Sequence, residues 1–521
     1  VPGNSLSRRS VLLSGAVLAA AAPAVPAAAS ELRGVGRPMR PGQLFTLGVA
    51  SGEPLPHGVV LWTRLARDPL AENGLGGMPD QAIKVDWEVA TDERFKNVVQ
   101  RGQAEASPRW AHSVHVEANG LRPGTEYFYR FRARGELSPV GRTRTAPAPG
   151  TLGALTMCFA SCAHYGEGFF TAYRRMAEDE PGLILHLGDY QYEYADNPSK
   201  NVRKVEGPET VTLANYRQRH AQYKTDPDLQ LAHATAPWLV VFDDHEIENN
   251  WAAEVPEDKS ETPGQAFLER RRAAFQAYYE NMPLRWESMP QGNGIRLYRR
   301  RQWGSLANFH MLDTRQYRDD QAYGDGNKPD GPDLKVPERT ITGKDQEVWL
   351  LDGLRQSRAR WDVLGQQVWF AQMDHDPGPA KILPMDAWDG YQASRQRIKA
   401  GFSTTRNVVV LTGDVHSHWA ADLKDDFDDS RSRTVAVELT TTSVTSGRDG
   451  ADTNEGGDKL KAANEHVHFY SARRGYVRTQ FTPEQVRADY RVLPYVSKPN
   501  APVTTAASFI TQDRDPGLHA V

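Results

Sequence analysis

Four times between residues 155 and 418 a short apolar run stops in a tight cluster of metal-ligating side chains. Residues 155–160 lead to Cys162 and His164, and Leu183-Ile184-Leu185 leads through Gly188 to Asp189 and Tyr192. Residues 238–242 run into Asp243-Asp244-His245-Glu246, with Asn249 and Asn250 behind, and residues 407–411 into Gly413-Asp414-Val415-His416, followed by His418. A buried strand that ends this way sets its ligands at the carboxyl edge of a sheet, where open α/β folds build their sites. One such cluster alone is better explained by a capped turn. Four in one region are not, and they require a fold that gathers four strand ends.

The rest of the pattern agrees with such a fold. Helical spacing is expected over 168–178, 209–223, 227–233, 262–281, 344–357 and 392–401, and further strands over 306–312, 363–364 and 435–439. Alternation of this kind predicts a layered α/β domain. Residues 44–145 read instead as an all-β module, with strand-like runs at 59–63, 84–89 and 113–116. Residues 120–131, Gly-Leu-Arg-Pro-Gly-Thr-Glu-Tyr-Phe-Tyr-Arg-Phe, resemble the E–F region of fibronectin type III domains, with Tyr127 as the corner tyrosine. A β-rich extension of one larger domain is the competing reading. Small strands are expected at 467–470, 475–481 and 486–491, an unpatterned tail beyond about 497, and long charged loops at 323–337 and 447–458. The boundaries drawn are 1–29 for a leader, 42–146 for the β-sandwich, 152–493 for the catalytic domain and 494–521 for the tail.

The 521 residues carry a formal net charge of -4 and a pI of about 6.5, which gives no sign of a nucleic-acid partner. Ser7-Arg8-Arg9-Ser10-Val11-Leu12-Leu13, a modest apolar run and Ala27-Ala28-Ala29 have the order of a twin-arginine leader with its cleavage site. Export by the twin-arginine machinery to an extracellular location is therefore expected, with no transmembrane segment in the mature chain. That route carries folded proteins, which suits a chain that acquires a cofactor first. The two cysteines, Cys158 and Cys162, lie four apart on a strand, about 13 Å, too far for a disulfide. Cys158 reads as core, and Cys162 as a thiol that a metal would protect.

The donor types indicate which metals. No C-x-x-C or H-E-x-x-H pattern points to a zinc site. Thiolate, phenolate, carboxylate and one imidazole suit a strongly Lewis-acidic ion such as Fe3+, and the remaining carboxylate and amide oxygens suit a hard cation such as Ca2+. A mixed site with Asp189 shared between the ions follows.

Gly188-Asp189-x-x-Tyr192, Asp244-His245-Glu246 and Gly413-Asp414-Val415-His416 resemble the three metallophosphoesterase blocks G-D-x-x-Y, G-N-H-[ED] and G-H-x-H, with Asp in place of Asn and of the first His. Together with Phe159-Ala160-Ser161-Cys162 and the run from Leu312 to Gln321, that variant is similar to PhoD-type alkaline phosphatases, a group that includes secreted actinobacterial phospholipase D enzymes. The resemblance covers nearly the whole chain after the leader. It implies an αββα metallophosphoesterase sandwich behind the fibronectin-like domain. It also implies Fe3+ bound by Cys162, Asp189, Tyr192 and His416, with Asp189 bridging to Ca2+ held by Asp244 and Asp414, and Asn249 as a further ligand. His245 takes the place of the histidine that assists at the phosphoryl oxygens or leaving group, and Arg315 is a candidate to orient phosphate, or else a structural ion-pair partner. His164 and His418 are expected to support rather than bind. No V-x-x-H block is recognisable, Gln366, Gln367 and His375 being the nearest substitutes.

The activity implied is in-line attack by metal-bound hydroxide on phosphate mono- and diesters. The alternative is a phospholipase D that hydrolyses phospholipid headgroups with the same metal core. A binding protein with an inactive α/β domain is the rival from another class, and the complete set Cys162, Asp189, Tyr192 and His416 argues against it.

Overall fold

The computed structural model describes residues 35–257 and 264–521, so the twin-arginine segment lies outside the described residues. Two large sheets dominate it. The ten-stranded sheet runs, edge to edge, through Asp515–Ala520, Thr504–Gln512, Gln485–Val492, Gly475–Phe481, Leu155–Ala160, Leu183–His186, Pro237–Val240, Val49–Leu55, Gly58–Arg64 and Ser113–Asn119. The seven-stranded sheet runs through Arg299–Trp303, Ala307–Met311, Trp361–Gly365, Val408–Thr412, Thr434–Thr440, His418–Lys424 and Val467–Ser471. The middle of each is parallel: Leu155–Ala160, Leu183–His186 and Pro237–Val240 in the first, Ala307–Met311, Trp361–Gly365, Val408–Thr412 and Thr434–Thr440 in the second. Parallel strands need crossovers, and these are the helices. The result is an α/β fold with two mixed sheets.

Side-chain alternation explains why these runs are apolar throughout. Met157, Phe159, Leu183, Leu185 and Leu239 share one core cluster with Phe309, Met311, Val363, Val409, Leu411, Val437 and Leu439 of the other sheet. Their neighbours Cys158, Ala160, Ile184, Trp238 and Val240 belong to a second cluster, with Phe170, Tyr173 and Met176 and with Phe267, Phe275 and Tyr278 of the helix Gly264–Asn281. On the second sheet Leu364, Val408 and Val410 pack with Leu350, Leu354, Ile398 and Phe402 of the helices Lys344–Gln356 and Gln392–Phe402. A strand buried on both faces carries no polar alternation, which is why each reads as a continuous run.

The β-rich N-terminal stretch is divided. Val49–Leu55 pairs in parallel with Pro237–Val240 and brings Gly58–Arg64 and Ser113–Asn119 into the large sheet. Val98–Ala106, Ile83–Ala90, Glu126–Ala133 and Glu136–Leu137 form a separate sheet, with Gly141–Arg144 paired to Glu126–Ala133. The hydroxyl of Tyr127 accepts the backbone N–H of Arg122 at 2.9 Å, a corner contact five residues back. The described residues form one compact body.

Several boundaries move. The tail beyond 497 is not unpatterned: Thr504–Gln512 and Asp515–Ala520 extend the large sheet. Most of their residues are exposed or half-buried, and such a strand carries little hydrophobic alternation. The helix expected over 209–223 is Leu213–Lys224, because Thr212 caps it: its hydroxyl accepts the Asn215 N–H at 3.3 Å while the Asn215 side chain accepts the Thr212 N–H at 3.2 Å. Helix Glu455–Ala463 begins inside the expected loop 447–458, and Asn327–Pro329 pairs with Ile382–Pro384 inside 323–337. Both cysteines are free and buried. Among the described residues no helix is long and apolar enough to cross a membrane.

One ion triad ties the sheets together away from the candidate site. Glu53, fully buried on Val49–Leu55, receives Nε of Arg299 at 2.8 Å and Nε of Arg301 at 2.5 Å from the edge strand of the second sheet. Burial alone would push its carboxyl up, but the two guanidiniums override it and bring it from the usual 4.5 to about 2. A carboxylate lowered in this way stabilises the fold above its unfolded value, and the contribution is lost as pH falls toward 2, about 3 kcal/mol in all. Glu53→Gln is therefore expected to destabilise the protein at pH 7 by about 3–5 kcal/mol, since two buried cations lose their counter-charge. The gap to wild type should close between pH 4.5 and 2 in denaturant melts. A gap constant with pH would mean the triad acts by packing alone.

Candidate metal centre

The ligand-bearing turns leave their strands at one edge, and they are strained there. Cys162 follows Leu155–Ala160 with φ 59°, Asp189 follows Leu183–His186 with φ 53°, and Asp414 and His416 follow Val408–Thr412 with φ 61° and 55°. Each is a non-glycine residue in the left-handed region, at about 1 kcal/mol or more apiece. The first two turns are joined by Cys162 N–H to Gly188 carbonyl at 3.1 Å and Ala163 N–H to Asp189 carbonyl at 2.9 Å. Gly188 has φ 108°, and a Cβ there would lie 2.4 Å from the Cβ of Asp243. Only glycine lets the Asp189 turn lie against the Asp243-Asp244 segment. The two sheets also meet here, through a parallel bridge between Ser161 and Ser443.

Ligand atoms of Cys162, Asp189 and His416 all lie within 4.8 Å of one another, as do those of Asp189, Asp244 and His245, and those of Asp243, Asp244 and Asp414. Tyr192 joins the first group, its hydroxyl donating to Oδ2 of Asp189 at 2.9 Å and lying 3.1 Å from Nε2 of His416. Asp189 and Asp244 are thus each common to two groups. Asn249 stands apart in this conformation: its amide donates to Glu257 at 2.5 Å.

The pocket holds more negative charge than the protein balances. Arg315 is fully buried beneath it, with Nε on Asp243 at 2.5 Å, Nη1 on Asp386 at 2.9 Å, and Nη2 3.5 Å from both Asp244 and Asp414. Burial and neighbouring carboxylates push Asp189 and Asp414 well above the usual range, and Asp243 up to about 7 despite Arg315. Burial likewise raises the Cys162 thiol and the Tyr192 phenol, with Asp189 adding to both. Asp244 and Asp386 are held low, Arg315 outweighing burial at both, with His245 adding at Asp244 and Arg318 at Asp386. Oδ2 of Asp243 and Oδ1 of Asp244 are buried without a hydrogen-bond partner. Orphaned oxygens inside such a cluster are what bound cations would satisfy.

His245 is held differently. Burial opposes its charge, yet Glu193, Asp244 and Asp189 keep the imidazole protonated well above its ordinary range. Nδ1 lies 2.8 Å from Glu193, and Nε2 lies 3.9 Å from Asp244. The rings of Tyr192 and Tyr194 flank it at 4.2 and 5.4 Å.

His164 lies 4.8 Å from the Tyr192 ring, and His418 is buried with Nδ1 accepting the Thr442 N–H at 3.1 Å. Tyr190 turns into the core toward His233 and Lys224. Gln366 and Gln367 hold neighbouring turns through Thr412 and Thr314, while His375 contacts Asn327. Glu246, the acid of the Asp244-His245-Glu246 block, holds the turns together, whereas Glu193 and Asp386 carry no spacing of their own in the sequence. Glu246 accepts the N–H groups of Asp189, Tyr190 and Asp243 at 3.0, 2.7 and 2.9 Å. Glu193 orients His245, and Asp386 anchors Arg315 and Arg318.

Comparison with known proteins was decisive at the level of family. The family model described as PhoD-like phosphatase matches residues 157–490, and that of the PhoD-like phosphatase N-terminal domain matches residues 30–147. Alkaline phosphatase D of Bacillus subtilis (strain 168) is 51% identical over 485 residues, covering 92% of this chain and 82% of its own length. A solved structure of PhoD superimposes with a TM-score of 0.90 at 50% identity, covering 93% of each chain. A purple acid phosphatase from yellow lupin (Lupinus luteus) seeds shares the fold alone, with a TM-score of 0.55 at 11% identity over 89% of this chain and 74% of its own.

Proposed function

The chain belongs to the PhoD-like phosphatase family, and we propose from that premise that the edge where its two sheets meet is the centre of a metal-dependent alkaline phosphatase acting on phosphate monoesters and diesters. The observation that carries the reading is the convergence of Cys162, Asp189, Tyr192 and His416 beside the orphaned oxygens of Asp243 and Asp244. The first four would hold Fe3+, whose preference for thiolate and phenolate matches them. Asp189, Asp244 and Asp414 would hold Ca2+, which takes oxygen donors. Asn249 would join them only by giving up Glu257. Cations held by these residues would supply positive charge for the phosphoryl oxygens and Lewis acidity to activate a water.

The chain's own residues do the rest. His245, fixed through Nδ1 by Glu193, presents Nε2 to the pocket and donates a proton to the departing oxygen. Arg315 keeps Asp243 and Asp386 in place, and its Nη2, buried without a hydrogen bond, is the group left for a phosphate oxygen. Glu246 holds the Asp189 and Asp243 turns by their N–H groups. The alternating clusters support an αββα sandwich built on 152–493 and widened by strands from 49–119 and 504–520, and the Tyr127 contact supports a fibronectin type III-like character for the separate sheet of the N-terminal stretch. Secretion through the twin-arginine pathway is part of the same reading.

Metal analysis with a visible spectrum tests it. Iron and calcium are expected, with a coloured charge-transfer band that Tyr192→Phe removes. A colourless, zinc-only protein that is fully active would overturn the iron assignment. Nitrophenyl phosphate, bis-nitrophenyl phosphate and phosphatidylcholine assayed together separate the phosphatase from a phospholipase D.

A further inference from the structure

Two consecutive arginines precede the strand Gly475–Phe481, and they point in opposite directions. Arg473 pairs outward with Asp452, its Nη2 donating at 3.0 Å. Arg474 turns inward, is 6% exposed, and has no ion-pair partner among the described residues. Its Nη1 donates to the carbonyl of His416 and to the hydroxyl of Ser443 at 2.6 Å each, and to the carbonyl of Ser446 at 2.7 Å. Nη2 donates to the carbonyl of Ala472 at 2.6 Å, and Nε is buried without a partner. A guanidinium buried against neutral acceptors alone is costly, so its retention calls for a reason other than stability.

The contacts supply one. His416 is a left-handed residue whose ring offers Nε2 to the first cation group. Ser446 reaches the other side of that group: its hydroxyl donates to the carbonyl of Cys162 at 3.0 Å and accepts the His164 N–H at 3.3 Å. Val444 N–H meets the Ser161 carbonyl at 3.0 Å. One guanidinium nitrogen therefore grips the His416 turn directly and the Cys162 turn through residues 443–446. These turns come from different sheets, the first after Val408–Thr412 and the second after Leu155–Ala160.

We infer that Arg474 is a positioning residue of the first cation site, its guanidinium setting the spacing between the His416 and Cys162 turns so that Nε2 and Sγ meet one ion. The inference rests on the reading of that site given under Proposed function. It accounts for two otherwise unexplained features, the buried charge that Glu167 meets only through space and the inward turn of one arginine of a pair. Outer contacts of this kind usually govern metal affinity by about 10–100-fold.

Arg474→Met, Arg474→Lys and Ser446→Ala, purified as full chains, test it by iron content, the charge-transfer band and iron loss to a chelator, read beside calcium content and the melting curve. Arg474→Met is expected to lose iron about 10–100-fold faster and to shift or weaken the band, with calcium retained. Arg474→Lys should recover part of the loss, and Ser446→Ala, which removes the hydroxyl from the Cys162 carbonyl and the His164 N–H but leaves the Thr445 and Ser446 N–H groups on that carbonyl, should show a smaller loss in the same direction. Iron retention within about threefold of wild type in Arg474→Met, or parallel loss of iron and calcium with the melting temperature, would overturn the inference. If Arg474→Met does not fold, iron retention equal to wild type in Arg474→Lys, whose single ammonium replaces the planar guanidinium, overturns it. A wild-type protein without iron or colour would instead sink the iron assignment made under Proposed function, and this inference with it.

Discussion

Replacing Asp189 with asparagine is expected to lower kcat/KM by about 10³-fold or more and to deplete both cations together. Asp189 is common to the Cys162–His416 group and the Asp244–His245 group, so one carboxylate serves two sites. Asparagine keeps the shape: its oxygen can still accept the His245 N–H, which now reaches Oδ1 at 3.3 Å, while its amide can donate to the Tyr192 hydroxyl, which now lies 2.9 Å from Oδ2. The loss then reports charge and ligand strength, with little change of fold. Asp414→Asn should deplete calcium selectively, since Asp414 groups only with Asp243 and Asp244.

Stability should move the other way. In chelated protein the folded pKa of Asp189 stands well above its unfolded value, through burial and the charge of Asp244. An acid raised on folding costs stability as pH climbs from its unfolded value through its folded one, the opposite sign to Glu53. Chelated Asp189→Asn is therefore expected to melt at or above chelated wild type at pH 7, with the difference vanishing in acid. A variant that lost activity and melted lower would show that Asp189 serves the fold first.

Legibility in the sequence follows from what holds each residue in place. Cys162, Asp189, Asp244 and Asp414 each come directly after an apolar run, so the parallel strands alone bring them to one edge. Tyr192 follows by its distance of three residues from Asp189. Glu193, Asp386 and Arg474 act on N–H groups, carbonyls and charges that neighbours present only after folding, and no spacing announces them. The left-handed backbone at Cys162, Asp189, Asp414 and His416 is hidden for the same reason, because none of the four is glycine. Among the strands, those buried on both faces were plain as apolar runs. The exposed Thr504–Gln512 was not, and neither was His418–Lys424, whose apolar Trp419-Ala420-Ala421 is bracketed closely by polar residues.

His245→Asn is expected to separate substrates by their leaving groups. Proton donation to a departing alkoxide is worth about 10²–10⁴-fold, so an alkyl phosphate should lose that much. Nitrophenolate leaves without help, and nitrophenyl phosphate should lose less than about 10-fold. The geometry favours donation: Glu193 fixes Nδ1 at 2.8 Å, Tyr192 and Tyr194 confine the ring, and Nε2 alone faces Asp244 and the pocket. Glu193→Gln should fall between wild type and His245→Asn with alkyl substrates, because the ring keeps a partner but loses the charge that sustains its proton. The same imidazole also lies within ligand distance of Asp189 and Asp244, and metal content separates the two roles. If His245→Asn sheds the second cation and both substrates fall equally, the ring is a ligand. If metals stay and only the alkyl ester slows, it is the acid, and the carboxylate of Glu193 is what keeps that acid charged inside the protein.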